Sequence, residues 1–188
     1  DTETRHLMAR DGDHWSAEIA GVGAGAAYGF RAFGEWAPER GLWFDAAKLL
    51  VDPYAKELDR RFTYDPRLSE YGWDSAFIVP RALVQPERPS LPARPPIFTR
   101  GGLIYEAHVR GLTMLHPEVP AGIRGTVAAL AHPAIIAHLR ALRVSAIELM
   151  PIVAWIDERH LPPLGLTNYW GYNPVAFGAM DPRLCPGG

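Results

Sequence analysis

Leu103-Ile104-Tyr105-Glu106-Ala107-His108 decides how the rest of this chain is read. It mixes branched, aromatic and small apolar residues after a proline-rich run, which is the signature of a strand. Downstream, Pro133 suits the first helical position with His132 before it, and Ile135, Ile136, Leu139 and Leu142 share one stripe at helical spacing. Val144-Ser145-Ala146-Ile147-Glu148-Leu149-Met150 is mostly apolar and ends at Pro151. Strand, helix and strand in that order predict a βαβ unit whose two strands lie side by side and parallel.

Upstream of Leu103 the pattern is that of short strands and turns. Asp11-Gly12-Asp13 is a turn signal, and residues 14–19 alternate large and polar side chains after it. Residues 21–25 are a glycine-rich break, and residues 27–33 alternate again. Two such strands suggest part of a β-sandwich of about 100 residues. Asp45 is placed to cap a short helical turn over residues 46–49, which Asp52-Pro53 would end. Pro80, Pro86, Pro89, Pro92, Pro95 and Pro96 make a semi-rigid run. The expected organisation is therefore a partial β module over residues 1–79, a proline-rich linker over 80–100, and a parallel α/β region over 101–188. A closed (β/α)₈ barrel takes roughly 250 residues, far more than follow the linker, so the region would be the opening of one.

Composition excludes several classes. The 188 residues are 48% hydrophobic and 21% charged, with a formal net charge of -2, which is ordinary for a globular protein. No basic cluster points to nucleic acid or to a membrane surface. Cys185 is the only cysteine, so no intrachain disulfide forms and a reducing, cytoplasmic setting is expected. The first residues are polar rather than leader-like, and the apolar runs are strand-sized. The aromatic residues Trp36, Trp43 and Tyr54 suit either packing or sugar stacking.

Residues 104–114, Ile-Tyr-Glu-Ala-His-Val-Arg-Gly-Leu-Thr-Met, resemble the bacterial glycogen debranching enzymes, the isoamylase-like branch of the α-amylase superfamily (glycoside hydrolase family 13). The resemblance continues through residues 115–120, 124–126, 131–133 and 147–151. It is strongest at Asn168-Tyr169-Trp170-Gly171-Tyr172-Asn173, and upstream it takes in residues 48–55. It implies a multidomain β plus α/β architecture: a carbohydrate-binding-type, Ig-like β-sandwich, here partial, followed by the first βαβ part of a catalytic (β/α)₈ TIM barrel. It implies retaining hydrolysis of α-1,6 branch linkages in glycogen or branched α-glucan oligosaccharides, with no cofactor. It also places the catalytic carboxylates beyond Gly188, so these residues alone are expected to be inactive. Two departures stand out. Arg143 replaces a glycine that would take a left-handed conformation at a helix end, which predicts a rearranged turn. Residues 154–157 replace a calcium-binding stretch with a single oxygen ligand, Asp157, so no metal site is expected.

Glu106 and Glu148 are the tempting carboxylate pair for glycoside hydrolysis. They fall within strands, whereas barrel chemistry gathers at strand C-terminal ends. They are therefore read as interior carboxylates paired with basic or hydroxyl groups. Asp157-Glu158-Arg159-His160 reads as a solvated loop, and His108, His116 and His132 lack metal-ligand spacing. The substrate-binding candidates are Tyr172, Trp170 and Asn168, in the loop after the second predicted strand. A tyrosine face offers an apolar platform to a glucose ring, and by resemblance Tyr172 matches the superfamily tyrosine that stacks on glucose at the cleavage subsite. Two other readings remain: a noncatalytic glycan-binding or scaffold module, and an α-glucan transferase of the same superfamily.

Overall fold

The computed structural model describes residues 2–187 apart from 88, 90, 91, 94–97 and 99. The parallel pair predicted from the sequence is present. Strand β7, numbered in chain order below, spans Leu103–Ala107, and β8 spans Val144–Leu149. They pair in parallel, with Ile104 opposite Ala146 and Ala107 opposite Leu149. Between them lie α1, Val109–Thr113, and α2, Pro133–Ala141. Parallel neighbours cannot be joined by a tight turn, and this helical crossover supplies the needed length.

α2 begins as the sequence suggests. Pro133 stands at the first turn, and the His132 ring accepts a hydrogen bond from the Ala134 N–H at 3.3 Å. The stripe is only partly used, however. Ile135 is buried with Val119 and Ala129, and Leu139 packs at the edge of that cluster, while Ile136 and Leu142 remain exposed. The helix ends through Arg143, which takes φ 57, the sole non-glycine residue with positive φ among those described. Arginine thus adopts the left-handed conformation itself, and the expected rearrangement of the turn does not occur. The cost of about 1–2 kcal/mol is borne because Val144 must enter β8 directly.

The preceding residues form three separate antiparallel pairs. β1 (Ala9–Asp11) pairs with β2 (His14–Ser16) across the predicted Asp-Gly-Asp turn. β3 (Ala27–Tyr28) pairs with β6 (Ala82–Leu83), and β4 (Trp36–Ala37) pairs with β5 (Leu42–Trp43). The strands are shorter than their alternation suggests, because Gly29 and Gly34 interrupt residues 27–34 and only the bridge Phe30–Leu50 extends β3. No helix forms after Asp45. Its carboxylate does accept from the Ala47 N–H at 2.9 Å, but its other oxygen accepts from the distant Gly72 N–H at 2.8 Å. Asp45 therefore tethers two loops instead of starting a helix.

The proline-rich stretch begins as part of this β region, since Ala82 is fully buried and Val84 N–H donates to Ala26 O at 2.9 Å. Pro95 and Pro96 lie outside the described residues. Ala82, Ala55 and Leu58 share one core cluster with Ala154, Ala176 and Ala179. The last three belong to the hairpin of β9 (Val153–Trp155) and β10 (Pro174–Met180). Small side chains on both sides let the β-rich part approach the hairpin closely. No helix among the described residues is long and apolar enough to cross a membrane.

Candidate functional site

The segment joining β9 to β10, residues 156–173, brings the sequence-predicted residues together and holds them from two sides. Its base is Trp155. The buried indole donates from Nε1 to Asn168 O at 3.1 Å, and Arg183 lies over its ring at 4.0 Å, a distance suited to cation–π attraction. Arg183 also donates to Trp155 O at 2.9 Å and to both oxygens of Asp181 at 2.8 and 2.9 Å. Asp181 is fully buried. A buried carboxylate needs full pairing, and Asp181 obtains it from Arg183 and from the Trp155 and Arg183 backbone N–H groups.

Asn168 is the keystone of the loop above this base. It is 7% exposed. Its backbone N–H donates to Asp157 Oδ1 at 2.8 Å, and its Nδ2 donates to Glu158 Oε1 at 3.0 Å. Its Oδ1 accepts from the Gly171 N–H at 2.8 Å. The side-chain amide is thus committed within the loop, to Glu158 and to Gly171. Asp157 and Glu158, read as solvated in the sequence, are half-buried anchors. Gly171 takes φ +80, and a Cβ there would lie 3.2 Å from Pro151 Cβ and 3.3 Å from Trp155 Cε3. Only glycine accommodates both the left-handed conformation and the close approach.

The rings stand outward from this scaffold. Tyr172 is 65% exposed and Trp170 56% exposed. Tyr169 stacks on His108 with ring centroids 4.2 Å apart and planes 10° apart, and Trp170 meets both edge-on at 6.4 and 6.3 Å. A cavity of about 320 Å³ opens beside this contact, lined by Tyr105, Glu106, Ala107, His108, Gly111 and Leu112.

Among the described residues neither Glu106 nor Glu148 pairs with a basic group. They sit opposite each other in the parallel ladder, both exposed. The sequence reading placed them in an interior, whereas this face of the two-stranded sheet is open among the described residues. His132 caps α2, and the His116 ring accepts from the Glu118 N–H at 3.3 Å. Among the described residues no cluster of three or more His, Cys, Asp or Glu is arranged to hold a metal ion. Sequence reasoning missed Trp155, Asp181, Arg183 and the contact of His108 with Tyr169. Asp181-Pro182 was a visible cap signal, but nothing local announces that its carboxylate also supports Trp155.

No protein-family model matches the chain. It is 45% identical over 184 residues to a glycogen debranching enzyme of Klebsiella pneumoniae subsp. pneumoniae, which covers 94% of this chain and 28% of the relative. A glycogen debranching enzyme of Yersinia enterocolitica is 45% identical over 189 residues, covering 96% of this chain and 28% of the relative. The chain is homologous to part of the bacterial glycogen debranching enzymes. It spans 28% of the length of these debranching-enzyme relatives. Among solved structures, the catalytic module of the glycogen-degrading pneumococcal virulence factor SpuA matches with a TM-score of 0.51 and 24% identity. That match covers 72% of this chain and 21% of the module, and it speaks to the fold alone.

Proposed function

We propose that this chain is part of a glycoside hydrolase that cleaves α-1,6 branch linkages in glycogen or related α-glucans. The observation that carries the reading is the 45% identity to glycogen debranching enzymes across 94% of the chain. In this reading residues 1–79, with β6 paired onto them, are a partial carbohydrate-binding-type β-sandwich, the rest of residues 80–100 is the connection, and residues 101–188 are the first part of a (β/α)₈ barrel. The parallel β7–β8 pair supports the barrel, because adjacent parallel strands with a helical crossover are its repeating unit. The β9–β10 segment follows β8 directly, where a barrel places substrate contacts.

Tyr172 offers its ring to a glucose residue at the cleavage point, Trp170 adds a second apolar wall, and Asn168 fixes their height above Trp155. The complete protein supplies the nucleophile and acid carboxylates of a retaining mechanism, and no catalytic step is assigned to Glu106 or Glu148. The reading takes no cofactor, nucleic acid or membrane, and it places the enzyme in the cytoplasm. The test is product analysis of the complete protein on glycogen. Release of short linear maltooligosaccharides with loss of α-1,6 linkages is expected. Transfer of chains without net loss of linkages, or binding without turnover, would overturn the hydrolase reading.

A further inference from the structure

We propose that His108 is a positioning residue that clamps the Tyr172-bearing loop to the end of β7; its bearing on turnover rests on the glucan platform proposed above. The imidazole makes two bonds in opposite directions. Nδ1 accepts from the Gly111 N–H at 3.0 Å, and Nε2 lies 2.8 Å from Tyr169 O. A ring nitrogen that accepts is unprotonated, so Nε2 carries the hydrogen and donates to the carbonyl. One neutral tautomer satisfies both partners.

Capping α1 explains only half of this arrangement. Asn, Asp or Ser would satisfy the Gly111 N–H equally well. The Nε2 bond and the 4.2 Å stack on Tyr169 do nothing for the helix. They join His108 to a loop 61 residues away in sequence. Gly111 makes room for the contact, since a Cβ there would lie 3.3 Å from the Tyr169 hydroxyl. The loop is then held on one flank by Trp155 and the Asn168 network, and on the other by His108. Tyr172 follows Gly171, which the Asn168 side chain and Trp155 hold on the first flank. Ring placement errors of about 1 Å are costly in catalysis, so a clamp three residues from the platform ring has a functional consequence.

His108→Asn in the complete protein tests this, because asparagine keeps the helix cap and removes both the stack and the Tyr169 bond. Amide exchange across residues 168–172 is expected to quicken at least fivefold while α2 exchanges as before. With a branched oligosaccharide, kcat/KM is expected to fall about tenfold, and by less than twofold when Tyr172→Ala is already present. Unchanged loop exchange would overturn the clamp. An equal loss of kcat/KM with and without Tyr172 would overturn its action through that ring. If Tyr172→Ala alone leaves kcat/KM unchanged while His108→Asn still speeds loop exchange, the clamp stands and the platform reading falls. Tyr169→Leu, which removes the stack and leaves the carbonyl, is expected to give the same pattern at smaller amplitude, and it serves if His108→Asn does not fold.

Discussion

Asn168→Ala removes two bonds at the centre of the site, and the structure gives the size of the effect. The Gly171 N–H is buried and has Asn168 Oδ1 as its acceptor at 2.8 Å. Leaving such a donor unsatisfied costs about 1–3 kcal/mol. The bond from Nδ2 to Glu158 at 3.0 Å involves a half-buried carboxylate that regains water, so its loss is smaller, about 0.5–1 kcal/mol. Together they lower the free energy of opening the loop by roughly 1.5–4 kcal/mol, most of it from the orphaned donor. Amide exchange at Gly171, which tracks the open population, should then quicken by about 12- to 700-fold at 1.4 kcal/mol per decade. Asn168→Asp separates the two contributions. It keeps an acceptor for Gly171 but sets a third carboxylate against Glu158 and Asp157, so exchange should quicken near neutral pH and slow again as the carboxylates protonate. Exchange at Gly171 within twofold of the parent in Asn168→Ala would refute the keystone assignment.

Gly171→Ala must place a Cβ 3.2 Å from Pro151 at φ +80. About 2 kcal/mol or more of destabilisation should appear in urea unfolding, from the left-handed conformation and the crowding together; a loss below about 0.5 kcal/mol would mean the loop relaxes freely. Acid should weaken the β region through Asp59. Burial pushes its carboxyl up, but hydrogen bonds from Arg60 and Arg81 outweigh it and hold the group below its ordinary value of 3.8. A depressed folded pKa gives stability that is present above the unfolded value and lost as pH falls through the folded one. The urea midpoint should therefore drop below about pH 4, and Asp59→Asn should flatten part of that drop; an unaltered pH profile in Asp59→Asn counts against the network.

What could be read from the sequence was whatever local chemistry determines. His132-Pro133 announced the start of α2, and the apolar runs at 103–108 and 144–150 announced neighbouring parallel strands, because period and capping are properties of adjacent residues. Asp11-Gly12-Asp13 announced its hairpin for the same reason. Asp45 misled, since a cap signal does not say whether a helix follows or whether a distant N–H, here that of Gly72, claims the second oxygen. Arg143 misled because an unfavourable φ is tolerated where the chain on both sides is fixed. At the site, Tyr172 and Trp170 were picked out by the family resemblance and by the rings grouped around Gly171, while their exposure emerges only in the fold. The buried layer beneath them was not: Asp157 and Glu158 look like any surface charge run until Asn168 is seen folded onto them.

A glucan platform at this loop depends most directly on Tyr172 in the complete protein. With a branched glucan, Tyr172→Ala should lower kcat/KM by roughly 1–3 kcal/mol of transition-state stabilisation, the scale of a lost ring contact with misplacement of the sugar. Tyr172→Phe, which keeps the apolar face, should cost much less. A folded Tyr172→Ala enzyme with unchanged kinetics, or equal losses in both variants, would contradict a glucan platform at this loop.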